Sequence, residues 1–269
     1  MRFIPLLFAL SVSLHAQTST IRARPKRAGL DSITARGTTL YRYDRAAWEA
    51  SDALLELDPK PPGGQYVVVK SGADWIVHFG DLSAARDTFY TFFVAHKRAG
   101  DSAFVPERTP SATPDVADLL HRARALATAR VAFGPVKRRY NHSVIPGTNG
   151  EWLVYLYPAQ TVTTRWPLGG DERFRISADG SRILERHRMH NAIIETPVGS
   201  HRDSAGRESA TYFHTAVLDD RPEDSDVFAV LSRNPRRPEV VLTENYVYIV
   251  GIDGTIPLPR ERNPGGTPR

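Results

Sequence analysis

RFRISADGSRILERHRMH, residues 173–190, is the stretch that decides the fold. Arg173 and Arg175 alternate with Phe174 and Ile176, so successive side chains take opposite faces, as along a β-strand. Asp179-Gly180 then supplies a turn that favours positive φ, and a second extended run over 182–189 brings the chain back. The segment therefore reads as an antiparallel hairpin. Aromatic and β-branched residues also crowd 152–157, 212–218, 227–232, 240–243 and 246–252, with Asp253-Gly254 as another turn. Upstream, 66–69, 75–79, 88–96 and a short piece around Phe104 predict a meander punctuated by 81–86 and 100–102.

Helical periodicity appears twice. Residues 45–57 follow Asp44 as a cap, carry Ala47, Trp48, Leu54 and Leu55 on one face, and stop at the run from Pro59 to Gly64. Residues 114–131 follow Thr113 as cap with Pro114 at the first helical position. The apolar stripe there is Val116, Leu119, Leu120, Ala123, Ala127 and Val131, leaving Asp118, His121, Arg122 and Ala125 outward. Helix then strands, followed by helix then strands, predicts an α+β fold, strand-rich and antiparallel, with two principal helices packed on the sheet. The expected units are 40–110 and 111–256, either separated near 107–113 or continuous as one domain.

The chain ends read differently. Residues 1–16 combine a basic start, an apolar run from Phe3 to Leu14 and a small residue, Ala16, before Gln17, which is the layout of a cleaved secretory leader. Residues 17–39 form an expected flexible basic arm, and the Pro- and Gly-rich 257–269 an expected disordered tail. No later segment has the apolar length of a membrane helix, so a secreted or periplasmic location is expected. The chain has no cysteine, which excludes thiol catalysis, thiolate metal ligation and attachment of lipid to an N-terminal cysteine. Its net charge of +5 is mild, and no interleaved basic and aromatic motif points to nucleic acid. Arg outnumbers Lys, a skew that codon usage explains as readily as anion recognition does.

No G-x-S-x-G elbow, H-E-x-x-H, Gly-rich phosphate loop or S-x-x-K is present, and no cofactor is expected. Three weaker constellations remain. His187 and His190, three residues apart, would share a face on a helix and converge on a metal with His214 as a third ligand; on a strand they point apart. Asp219, Asp220, Glu223, Asp224 and Asp226 form an oxygen-rich run suited to calcium, though without the spacing of a calcium loop. Arg173, Arg175, Arg186 and Arg188 form a guanidinium row able to clasp an anionic ligand, or to pair with the acids nearby.

The block Tyr157-Pro158-Ala159, Gly169-Gly170-Asp171, Arg173, Ser177, Asp179-Gly180 and His190, continued by 215–228 and 248–256, resembles a family of uncharacterised exported bacterial proteins. The resemblance covers the C-terminal half and implies no activity; it directs attention to Asp171, Arg173 and His190. The leading expectation is a non-catalytic envelope protein offering a sheet to a protein, an anionic glycan or a lipid headgroup, with Trp152, Tyr155 and Tyr157 as an open aromatic patch. The rivals are an exported hydrolase using Asp171, His187, His190 and Glu195, a metal-binding protein, and an accessory subunit docked through its basic arm.

Overall fold

A computed structural model describes residues 24–199 and 211–262. The leader therefore lies outside the described residues, as do 17–23 of the expected arm and 263–269 of the expected tail. The fold is α+β. Among the described residues it holds three α-helices and fourteen strands, and no helix there is long and apolar enough to cross a membrane.

The first helix, α1 (Arg27–Leu57), begins well before the expected 45 and takes in residues 27–39 of the expected flexible arm. Its buried positions Leu30, Ile33, Gly37, Leu40, Tyr43, Ala47 and Leu54 recur at helical spacing, so the stripe was present but diluted by Ser, Thr and Gly. Trp48 and Leu55, assigned to the apolar face, are exposed. Strands β1 (Gln65–Ser71), β2 (Asp74–Leu82), β3 (Phe89–Lys97) and β4 (Val105–Asp115) form the expected meander as a four-stranded antiparallel sheet.

Helix α2 (Asp118–Phe133) starts later than Pro114, because β4 runs through that residue and pairs it with Tyr90. The N-cap position is Ala117, and its missing side-chain bond is supplied by Asp115, whose Oδ1 accepts from the backbone N–H groups of Leu119 and Leu120 at 3.0 and 3.2 Å. Val116 and Val131 are exposed, while Arg122 and Ala125 are buried, so the expected stripe is rotated. The reason is that α2 covers two sheets: Leu120 and Ala123 pack on Val67 and Phe89, and Ala125, Leu126 and Ala129 on Val154, Phe174 and Ile176.

The second sheet orders β5 (Tyr140–Pro146), β6 (Trp152–Pro158), β8 (Glu172–Ile176) and β9 (Ile183–Arg188) antiparallel, with β8 and β9 forming the hairpin expected over 173–190. Strand β7 (Arg165–Leu168) pairs with β10 (Ile194–Pro197). The third sheet orders β11 (Tyr212–Thr215), β12 (Glu239–Leu242), β13 (Tyr246–Val250) and β14 (Arg260–Glu261); β11 and β12 are parallel, and β14 lies within the expected tail.

Residues 227–232, expected as strand, belong to α3 (Asp224–Ser232). Every residue from Asp224 to Leu231 is buried, and a short apolar run buried on all sides has no periodicity to separate helix from strand. Gly37 lets α1 cross α3 closely: a Cβ there would sit 2.4 Å from the Asp224 carbonyl oxygen. One apolar cluster unites Leu40, Ala50 and Leu54 with Val77, Phe93, Tyr155, Tyr157 and Phe228, thereby joining the two expected units. Trp152, Tyr155 and Tyr157 are all buried, so no open aromatic patch exists at those residues.

Candidate metal centre

Strand register aligns Ser143, Tyr155, Arg173 and His187 in one row across β5, β6, β8 and β9, hence on one face of the second sheet. That row engages the acidic start of α3. The Tyr155 hydroxyl donates to Asp224 Oδ2 at 2.8 Å, and Arg173 pairs with the same oxygen. Arg36 of α1 completes the set, its Nε 2.9 Å from both Asp224 oxygens. His187 Nε2 lies 2.9 Å from Glu223 Oε1. Burial would lower His187, but the Glu223 hydrogen bond outweighs it and raises its pKa; burial raises Glu223.

With α3 held by Glu223 and Asp224, its next acid points elsewhere. Asp226 Oδ2 accepts the Glu223 backbone N–H at 2.8 Å, leaving Oδ1 free to face two imidazoles. His190 Nε2 stands 3.2 Å from it and His214 Nε2 3.3 Å. Among the described residues none of these three atoms has a well-aligned hydrogen-bond partner beyond this mutual charge pairing, although all are buried and lie within 4.8 Å of one another. They converge on a shared point without the alignment that would satisfy them in pairs.

The outer ring nitrogens are fixed. His190 Nδ1 is 2.8 Å from Asp171 Oδ1, and His214 Nδ1 is 2.9 Å from Glu239 Oε1. A carboxylate only accepts, so Nδ1 carries a proton on each ring and Nε2 is presented inward, the orientation that a carboxylate behind a metal-binding histidine imposes. Asp171 reaches His190 because Gly169 and Gly170, at φ 92° and 66°, pass close to residues 190–193; a Cβ on Gly169 would lie 2.2 Å from the Ala192 carbonyl oxygen. Glu239 reaches His214 because Tyr212 and Glu239 are register partners on the inner face of β11 and β12. Its second oxygen pairs with Arg233, a fully buried guanidinium 4.4 Å over the Tyr212 ring.

Burial alone would lower both imidazoles. The Asp171 and Asp226 carboxylates instead hold His190 well above its usual pKa, and Asp226 and Glu239 raise His214. Asp226, despite a burial that would raise it, is drawn down to about 2 by His214 and His190.

Of the sequence candidates, the structure thus unites His190, His214 and Asp226, with Asp171 behind His190. The His187–His190 pair, which only a helix would form, is not formed: His187 sits within β9 and faces Glu223, while His190 lies beyond the strand end. The calcium run is dispersed: Asp219 pairs with Arg221, Asp220 accepts from Asn245, Glu223 meets His187, and Asp224 is taken by Arg36 and Arg173. The four hydrolase candidates do not converge, since Glu195 pairs with Arg138 at 2.8 Å. The guanidinium row is matched by acids: Arg173 by Asp224, Arg175 by Glu151 and Glu185, Arg186 and Arg188 by Glu172. Glu239 and Arg233 escaped the sequence reading, although an acid alternating with Val241 toward the buried face of a strand was a usable cue.

Fold and site together define a class: an α+β protein of mainly antiparallel sheets enclosing a buried cluster of two histidines and one carboxylate. A scan against protein-family models found no match, and a search of the curated proteins found none either.

Proposed function

We propose that this is an exported, non-catalytic protein that binds a divalent transition-metal ion, of the zinc class, through His190 Nε2, His214 Nε2 and Asp226 Oδ1. The observation that carries the reading is the convergence of three buried, otherwise unsatisfied donors whose imidazoles are each oriented by a carboxylate. An ion about 2.0–2.1 Å from each donor in tetrahedral geometry requires donor separations of roughly 3.4 Å, close to the 3.2 and 3.3 Å found. Imidazole with carboxylate suits zinc and its neighbours rather than calcium. With the imidazoles neutral, as ligation requires, Asp171, Asp226 and Glu239 outweigh Arg233 by two negative charges, so a dication takes the place of the two protons that the raised imidazoles otherwise hold.

The ion's work there is to hold structure. All three side chains are buried, which gives substrate no approach, and the donors come from β11, α3 and the chain beyond β9. The ion would therefore staple the second sheet, the third sheet and α3. Export is supported by the apolar run from Phe3 to Leu14, and a thiol-free ligand set suits an oxidising compartment. Membership of the family of uncharacterised exported proteins, on the spacing from Tyr157 to His190, is proposed with it.

The test is elemental analysis of the full chain purified without affinity metals, beside a His190→Ala, His214→Ala double variant. One equivalent of zinc or a neighbouring transition metal in the parent, and none in the variant, is expected. Metal-free parent protein that also fails to take up zinc on dialysis would refute the reading.

A further inference from the structure

The acids that neutralise the hairpin arginines leave the surplus positive charge elsewhere. Lys70 pairs in register with Trp75 across β1 and β2, and Trp75 with Lys97 across β2 and β3, so the three form one cross-strand row. Above that row runs the α1 face bearing Arg42, Arg45 and Glu49, joined to it by an edge-on contact of Tyr43 with Trp75 at 5.2 Å. Between helix and row lies a groove of about 400 Å³, also lined by Phe104. It is the size of a small-ligand site.

Four cations therefore face one carboxylate. Glu49 is shared between Arg45 and Lys97, each at 2.8 Å, and that pairing lowers its pKa although burial would raise it. Lys70 rests 4.5 Å over the Trp75 ring, and neither Lys70 nor Arg42 has an ion-pair partner among the described residues. A concave site with a surplus of one sign of charge on low-dielectric walls concentrates ions of the other sign. Guanidinium and ammonium groups together match phosphate oxygens, and Trp75 and Phe104 offer apolar surface to the body that carries the phosphate.

We infer that this groove, distant in the chain from the His190, His214 and Asp226 cluster and independent of it, binds an organic phosphate: a phosphoryl group between Arg42, Arg45, Lys70 and Lys97, with its apolar moiety against Trp75. The same chemistry occurs on soluble phosphate esters and on phospholipid headgroups, and the experiment separates them.

Calorimetric titration of the full chain with phenyl phosphate at low ionic strength is the test, beside an Arg42→Ala, Lys70→Ala double variant whose substituted side chains are exposed. Saturable binding of one equivalent, weakened at least tenfold in the variant while its melting curve is unchanged, is expected. Flotation with vesicles of phosphatidylglycerol against phosphatidylcholine reports the source. Co-flotation with the anionic vesicles, lost in the variant, identifies a headgroup site; phenyl phosphate binding without flotation identifies a soluble ester. No saturable binding of phenyl phosphate, equal binding by the variant, or flotation without phenyl phosphate binding would overturn the inference, the last because it marks diffuse surface charge and not a site.

Discussion

His214 and Asp226 meet with Nε2 3.3 Å from Oδ1, and among the described residues neither atom has a well-aligned hydrogen bond. Two buried polar atoms left unmatched at such close range are unfavourable unless a third species completes them. His190 Nε2 faces the same oxygen from 3.2 Å, so three buried side chains share one point, and the proposed metal site rests on that geometry.

Zinc added to chelator-treated protein should therefore raise its melting temperature, by an amount equivalent to about 4 kcal/mol at a free concentration a thousandfold above Kd. Calcium at the same concentration should leave the melt unchanged, because imidazole donors disfavour hard cations and the acidic run at 219–226 is dispersed among cationic and polar partners. Differential scanning calorimetry with each ion in turn checks both halves, and a calcium shift as large as that of zinc would contradict them.

Glu239→Gln should destabilise the protein by about 3–5 kcal/mol, since it strips the buried Arg233 of its carboxylate and loosens the grip on His214 Nδ1. An Arg233→Met, Glu239→Gln double variant should recover part of that loss by removing the unpaired charge. Urea denaturation of the parent, the Glu239→Gln and Arg233→Met single variants and the double variant measures the coupling, and strictly additive losses would argue against it.

Gly37→Ala should destabilise by about 1–3 kcal/mol even though alanine favours helix, because its Cβ would meet the Asp224 carbonyl oxygen at 2.4 Å and the Val227 Cβ at 2.6 Å. Gly29→Ala, in the same helix with nothing within 4 Å, should be neutral or stabilising by up to about 1 kcal/mol. Thermal melts of the pair separate packing from propensity, and melting shifts of the same sign would remove the close-crossing account of α1 and α3.

His142 sets an acid dependence. It stacks on Tyr66 at 4.1 Å, with Nε2 3.2 Å from the Tyr66 carbonyl oxygen and Nδ1 3.3 Å from Arg130, and burial first, then Arg130, depress its pKa to about 3. The unfolded imidazole takes up a proton below about 6.5, whereas the folded one stays neutral until about 3. Its contribution to stability is thus present above pH 6.5 and is lost as pH falls through that window. His142→Gln should flatten the slope of stability against pH, leaving the share of His78, which burial lowers to about 4. Denaturation midpoints recorded across the window test this, and an unchanged slope in the variant would count against it.

Much of the fold was legible where a segment repeats a period and one of its faces is exposed. The alternation Arg173, Phe174, Arg175, Ile176 and the Asp179-Gly180 turn reappear in β8, β9 and their connection. The early half of α1 was not, because Gly29, Ser32, Thr34, Gly37, Thr38 and Thr39 dilute its stripe with residues of low helix propensity, and Gly37 acquires its purpose only from α3. Nor was α3: Val227 to Leu231 is apolar on all sides, and burial on all sides erases the pattern that distinguishes helix from strand.

The sequence by itself determined the antiparallel hairpins, the existence of the second helix and a metal-ligand inventory limited to imidazole and carboxylate, because alternation, turn chemistry and the lack of cysteine are local properties of the chain. Tertiary structure alone decided that His190 and not His187 meets His214, that Asp226 and not its acidic neighbours faces them both, and that the cationic surplus gathers under α1 and not on the arginine hairpin. Those outcomes depend on which sheet faces are packed together over long stretches of chain, and spacing within one segment carries no record of that packing.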